Sequence, residues 1–217
     1  MLPAGSKGDV PYNVRPFQVE SVAPPTQLTE IPSGFLNSTE PIDLEIGCGV
    51  GWHPIRYATE NSDRRLIAIE HTREKFEKFH SRYLRHPNLT NLLPIHADAV
   101  RWITHALKPG CLSRCFLLYP NPEPKAVNRR WLRMPFMHKL LETLARDGEL
   151  TLATNEQTYF DEAKEWAENY WNLEILEARS FSDSTKPLGI PRTHFEKKYL
   201  ERGEICHDLR LRKKNHA

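Results

Sequence analysis

Ile42-Asp43-Leu44-Glu45-Ile46-Gly47-Cys48-Gly49-Val50-Gly51 is the stretch on which the reading of the whole chain turns. Ile42 to Ile46 is a short, mostly apolar run and reads as a buried strand. Three glycines at alternate positions end it, and Trp52 to Asn61 then reads as a helix. Glycine permits the tight turn and leaves no Cβ between backbone and ligand. The helix that follows points its free N–H groups at that ligand. Strand, turn and helix together predict a nucleotide-cofactor site.

The spacing narrows the cofactor. A dinucleotide fingerprint, G-x-G-x-x-G, would want glycine at position 52, where this chain has Trp52. The pattern is E-x-G-x-G-x-G, with Glu45 just ahead of the turn. A carboxylate there repels a pyrophosphate and suits a cationic group. S-adenosylmethionine, which carries a sulfonium and an ammonium, fits.

Outward from the turn, strands and helices alternate. Strands are predicted at Leu66–Glu70, Leu92–Asp98, Arg114–Tyr119, Glu149–Thr154, Leu173–Phe181 and Glu204–Arg212. Helices are predicted over about 72–85, at Ala99–Leu107, around Met137–Leu144 with Arg146-Asp147-Gly148 as its stop, and at Glu156–Tyr170. The prolines of Pro120-Asn121-Pro122-Glu123-Pro124 forbid regular pairing after the fourth strand. Such alternation predicts a doubly wound α/β fold: a mostly parallel seven-stranded sheet with helices on both faces, Rossmann-like. Residues 1–40, rich in Pro, Ser and Thr, read as an irregular N-terminal arm, 41–212 as the domain and 213–217 as a basic tail.

Composition excludes little. The net charge is +2 and the pI about 8.3, too mild to demand a nucleic acid, so an RNA site would rest on local clusters. Two present themselves: Lys125 with Arg129, Arg130 and Arg133, and Arg210 with Arg212, Lys213 and Lys214. No apolar run reaches membrane-spanning length, and the four cysteines show no disulfide or metal-ligand spacing. A cytoplasmic protein without a metal or a membrane partner is the reading; monomer and homodimer both stay open.

In doubly wound sheets ligands bind beyond the carboxyl ends of the strands. Gly47, Cys48, Gly49 and Gly51, then Glu70, Asp98, Asn121 and Asn155 all stand at such ends. Glu70 is placed to accept ribose hydroxyls, and Asp98 an adenine amino group beside the backbone of Ala99. Asn121, beyond the strand predicted to lie next to the first, should face the reacting centre with one donor and one acceptor.

These residues, in order, resemble those of the bacterial tRNA (guanine-N7)-methyltransferases of the class I S-adenosylmethionine fold. The similar stretches run from about Asp43 to Leu211: the glycine turn, Ala68-Ile69-Glu70, Ala97-Asp98-Ala99, Tyr119-Pro120-Asn121-Pro122, Leu152-Ala153-Thr154-Asn155 with Tyr159, and Thr193-His194-Phe195-Glu196. The resemblance implies an antiparallel last strand and transfer of a methyl group to N7 of a tRNA guanine. It implies Asn121, Asn155 and Glu196 as catalytic positions. Thr193 and Glu196 would hold the guanine, with Lys125, Arg129 and Arg130 on phosphates and Asn121 also touching the cofactor. The chain departs from the family where Asn121 and Asn155 replace aspartates, Glu123 replaces a tryptophan, and the basic run is thinner. The alternatives are therefore another acceptor (RNA, protein or small molecule) or a non-catalytic RNA-binding relative.

Overall fold

The computed structural model describes residues 14–25, 31–36, 39–183 and 191–214. Seven strands form one sheet: β1 (Ile42–Ile46), β2 (Arg65–Glu70), β3 (Leu92–His96), β4 (Leu112–Leu118), β5 (Leu144–Thr154), β6 (Leu173–Phe181) and β7 (Cys206–Lys213). Their order is β3-β2-β1-β4-β5-β7-β6. β1 to β5 run parallel, whereas β7 inserts antiparallel between β5 and β6, pairing Leu152 with Leu209 and Ala178 with Leu209. The order reverses at β1 and β4, the crevice where ligands of such sheets bind.

Short α1 (Ser33–Leu36) precedes the sheet, and six helices cover it: α2 (Trp52–Glu60), α3 (Arg73–Tyr83), α4 (Ala99–Ala106), α5 (Met137–Thr143), α6 (Gln157–Asn169) and α7 (His194–Glu201). Period-two alternation sorts the strand side chains between two layers. Leu44, Ile67, Ile69, Cys115, Leu117 and Leu152 pack with Trp102, Met137, Tyr159 and Trp166 of α4 to α6. Leu66, Ala68 and Phe116 turn to the other side, against Ile55 and Phe79 of α2 and α3, and Phe116 also meets the α7 cluster. Val14 and Phe35, from the predicted arm, lie in the first of these layers.

Two acids of the apolar-looking first strand are fully inside. Asp43 accepts two bonds of 2.7 Å from the Arg64 guanidinium and one of 2.7 Å from the Tyr57 hydroxyl. Burial, then the Asp43 charge, pushes the Tyr57 phenol up to about 12. The pair ties β1 to α2 and to the chain entering β2.

One boundary differs from expectation. Arg146-Asp147-Gly148 does not stop a helix: α5 already ends at Thr143, and the three residues form an irregularity inside β5, between the pairs Leu112–Leu144 and Arg114–Glu149. Asp147 takes φ 59°, which aspartate tolerates, so one strand carries extra residues without breaking. α7 has no counterpart among the predicted helices. Among the described residues, no helix is long and apolar enough to cross a membrane.

Candidate active site

The tips of β1 to β4 enclose a cleft of about 640 Å³, lined by Gly47, Glu70, Asp98, Ala99 and Asn121. Together with Arg129, these make six of the residues singled out from sequence that meet in one place. Glu123, Arg129, Trp131 and Met134 close the other wall. A second cavity of about 300 Å³ shares Gly47 and Leu118 with the first and is lined by Glu45, Cys48, Gly49, His53 and Thr193. Both volumes fall in the range of small-ligand sites.

The turn after β1 is built by leaving side chains out. Gly51 has φ 84°, and a Cβ there would sit inside the Phe79 ring. Gly47 has φ 75°, yet a Cβ would meet no protein atom within 4 Å, because it would project into open cleft. Glu70, 5% exposed, pins the turn: its carboxylate accepts the Gly49 N–H at 2.8 Å and the Thr72 N–H at 2.8 Å. Each oxygen keeps a lone pair for a further donor. Asp98 caps α4 by accepting the Arg101 N–H at 2.9 Å and lines the cleft. Glu45 is buried and paired at 2.7 Å with Nδ1 of His53, a partner the sequence did not suggest. Burial pushes the Cys48 thiol up, and the carboxylates of Glu45 and Glu70 add to it, so Cys48 contributes shape rather than a nucleophile.

The donors and acceptors present fit S-adenosylmethionine. Glu70 offers lone pairs for vicinal hydroxyls, Gly47 leaves the room a Cβ would fill, and the carboxylates of Glu70, Asp98 and Glu123 favour positive charge. A pyrophosphate would meet those carboxylates unfavourably.

The loop after β4 is built the opposite way, by side chains. Tyr119 (φ 54°) and Glu123 (φ 46°) bracket Pro120-Asn121-Pro122 in the left-handed region. The Asn121 amide braces the loop, donating to the Glu123 carboxylate at 3.0 Å and accepting the Glu123 N–H at 3.2 Å. Arg130 holds the loop from below: its Nε donates to the Pro122 carbonyl at 2.8 Å, its Nη1 to Glu162 at 2.7 Å, and its guanidinium lies 5.0 Å over Tyr159.

This corrects the expectation for Arg130. At 7% exposed and bonded on both sides, it is a structural anchor and not a phosphate contact. Arg133 is spent likewise on Glu162, at 2.9 Å. Lys125 and Arg129 remain exposed, Arg129 at the rim of the cleft. The C-terminal basic cluster is also engaged. Arg212 pairs with Glu174 at 2.6 Å, Arg210 reaches Glu177 at 4.0 Å, Lys213 donates to the Leu141 and Leu144 carbonyls, and Lys214 meets Asn172.

The three remaining expected positions diverge. Thr193 caps α7, accepting the Glu196 N–H at 3.0 Å, and lines the second cavity. Asn155 donates to Glu204 at 2.8 Å and is not among the residues lining either cavity. Glu196 is 4% exposed and heavily engaged. One oxygen accepts the Arg192 N–H at 2.9 Å; the other accepts Arg192 Nη2 at 2.6 Å and the Tyr119 hydroxyl at 2.9 Å. It was expected to accept from guanine; instead it clamps the tip of β4 to the start of α7. Arg192 also pairs with Asp208 at 2.5 Å. Burial pulls the Arg192 guanidinium down, but Asp208 and Glu196 outweigh it and keep the ion pair charged. Burial, then the Glu196 charge, pushes the Tyr119 phenol up, so it donates as a neutral hydroxyl. Only folding could reveal Arg192, Trp131 and Met134 as neighbours of the site, because no spacing rule links them.

A family model described as "Putative methyltransferase" matches residues 39–209. A tRNA (guanine-N(7)-)-methyltransferase of Nitrosospira multiformis is 30% identical over 192 residues, 84% of this chain and 79% of that protein. One of Streptomyces avermitilis is 28% identical over 197 residues, 86% of this chain; the match spans 63% of that protein's length. Among solved structures, the 16S rRNA methyltransferase KamB superposes with a TM-score of 0.64 at 17% identity, over 84% of this chain and 92% of that one. At that identity the likeness speaks for the fold alone.

Proposed function

This chain belongs to the family of tRNA (guanine-N7)-methyltransferases, and from that premise we propose that it methylates N7 of a guanine in tRNA. The observation that carries the proposal is the cleft itself. Gly47, Glu70, Asp98 and Ala99 converge on one face of it and Asn121 on the other.

S-adenosylmethionine supplies an electrophilic methyl on a sulfonium. Transfer breaks the carbon–sulfur bond and forms a carbon–nitrogen bond, and the positive charge moves to the purine. N7 carries a lone pair and no proton, so the site needs no general base. It needs alignment, which is worth several orders of magnitude in rate. Glu70 accepts from ribose hydroxyls, and Asp98 and Ala99 frame the adenine. Asn121 orients the acceptor through its amide, itself braced by Glu123. Those carboxylates also keep the cleft negative, which tolerates a cationic product. Thr193 lies toward the acceptor, Lys125 and Arg129 take phosphates, and Glu196 positions the walls. The enzyme works in the cytoplasm, where its tRNA is.

A second reading keeps the cofactor and changes the acceptor. Two observations favour it: the buried Glu196 already bonded to Arg192 and Tyr119, and the placement of Asn155 on Glu204. One assay separates the two. The protein is incubated with unmodified bulk tRNA and methyl-labelled cofactor, and the RNA is cleaved chemically at 7-methylguanine. Label at that cleavage site is expected. Label confined to other RNA, protein or small molecules supports the second reading, and no label at any salt concentration overturns the first.

A further inference from the structure

The predicted basic clusters are engaged in the fold except for Lys125 and Arg129, yet a second surface is basic without any run in the sequence to announce it. The second cavity opens on the side covered by α2, α3 and α7, with Trp52, Lys75, Phe195 and Lys198 around its mouth. Trp52 also lines a neighbouring open groove of about 430 Å³, which passes Arg56, Arg82 and Arg85. The two hollows therefore meet at one aromatic ring beside the glycine turn.

The groups around that ring are cations and rings interleaved. Trp52 is 37% exposed and stands edge-on to His194 at 5.5 Å, with the Lys197 ammonium 5.8 Å over its face. The Lys75 ammonium lies 5.6 Å over Phe195. Arg56 and Arg82 are held by backbone carbonyls, those of Pro191 and Val50, which fixes their guanidinium groups along the groove. Arg85 and Lys198 are exposed, and among the described residues neither meets a carboxylate. The nearby acids are Glu60, 3.9 Å from Arg56, Glu74, 2.6 Å from Lys78, Glu201, 3.6 Å from Lys197, and the buried Glu45 in the wall of the second cavity. On the opposite side of the sheet α6 is acidic by contrast, carrying Asp161, Glu162, Glu165 and Glu168 against Lys164, with Glu162 paired to Arg130 and Arg133.

We propose that this groove docks a single-stranded stretch of the acceptor RNA, with one base stacked on Trp52 at the mouth of the second cavity and neighbouring phosphates on Lys198 and Arg85. Aromatic platforms flanked by cations are how proteins hold unpaired nucleotides without reading their sequence. A paired base has no free face to offer Trp52, so the strand must be open there. The groove starts at the glycine turn, so a nucleotide seated on Trp52 adjoins the cleft where the methyl is transferred. The assignment rests on RNA being the acceptor.

The test uses the full chain and unmodified tRNA. Arg85→Glu with Lys198→Glu is expected to weaken tRNA binding at least about tenfold and to flatten the slope of log affinity against log salt by about two. The KM for tRNA should rise with kcat retained, and calorimetric affinity for S-adenosylmethionine should not change. Trp52→Ala should weaken binding about tenfold, and Trp52→Phe should keep most of it. Lys108→Glu, exposed at the far end of the sheet, is the charge control and should leave binding unchanged. Wild-type affinity and salt slope in the double variant, or an equal loss in Lys108→Glu, overturns the docking surface. A wild-type chain that binds tRNA through these residues without methylating it overturns the catalytic reading and leaves the surface standing. Methylation of tRNA that the double variant leaves untouched does the reverse.

Discussion

The turn after β1 and the loop after β4 face each other across one cleft, and they are stiffened by opposite means. The first is shaped by missing side chains: Gly47 and Gly51 take positive φ, and Gly51 lets the Phe79 ring close on the backbone. The second takes positive φ at Tyr119 and Glu123, residues that pay for it in strain, and recovers the cost through bonds from Asn121 and Arg130. The lesson is that a turn made of glycine is local and can be recognised in its own sequence. A turn made of braces depends on partners such as Glu162 and Tyr159, which arrive from a helix some thirty residues away.

The comparison can be broken most forcefully at Gly51. Gly51→Ala adds a Cβ inside the Phe79 ring at a left-handed φ, and should destabilise the fold by about 3–4 kcal/mol. A urea midpoint within error of wild type would mean that the turn is less constrained than its geometry states. Arg130→Ala comes next. It removes a buried partner of Glu162 while Arg133 still holds that acid, so the expected cost is about 2 kcal/mol. The salt slope of tRNA binding should stay unchanged. A flatter slope would return Arg130 to the phosphate-binding role that its sequence position suggested.

Asn121→Asp sharpens the contrast at lower energy. It replaces a donor 3.0 Å from the Glu123 carboxylate with a second negative charge, and should loosen the loop and slow methyl transfer about tenfold. Combining it with Glu123→Gln restores one charge and one donor, and should recover most of that loss. An increase in rate from Asn121→Asp alone would show that a carboxylate at 121 matters more than the brace.

The smallest effect lies outside both loops. His207 sits 2.7 Å from the Ser180 hydroxyl and stacks on Phe160, and burial lowers its pKa. A lowered folded value means that the neutral ring is favoured in the fold. Its contribution is therefore complete above the unfolded pKa of about 6.5 and is lost as pH falls through the folded value. Urea midpoints should drop between pH 7.5 and pH 5 by more in wild type than in His207→Gln, with both loops unaffected.

What could be read from sequence was periodic or local. The alternation of strands and helices, the glycine turn and the acids at strand tips follow from period-two and period-3.6 patterns and from glycine's freedom at positive φ, and all are properties of neighbouring residues. Glu70, Asp98, Ala99 and Asn121 reached the cleft because strand ends converge in any doubly wound sheet. The errors fell where charges were involved. Arg129, Arg130 and Arg133 look alike in sequence, yet one faces solvent and two are bound to Glu162. Glu196 was expected to accept from guanine, and its carboxylate already accepts from Arg192 and Tyr119.

By itself, the order of residues determined the succession of strands and most helices, the glycine turn and the acids at the strand tips, since each rests on patterns among residues close along the chain. Tertiary structure alone decided which charges remain free. A salt bridge forms between whatever side chains the fold brings within about 4 Å, and burial makes the unpaired alternative too costly to persist. That is why the basic run after β4 is partly spent on holding a loop, with Lys125 and Arg129 left exposed, while cations scattered along the chain in and beyond α2, α3 and α7 gather around Trp52.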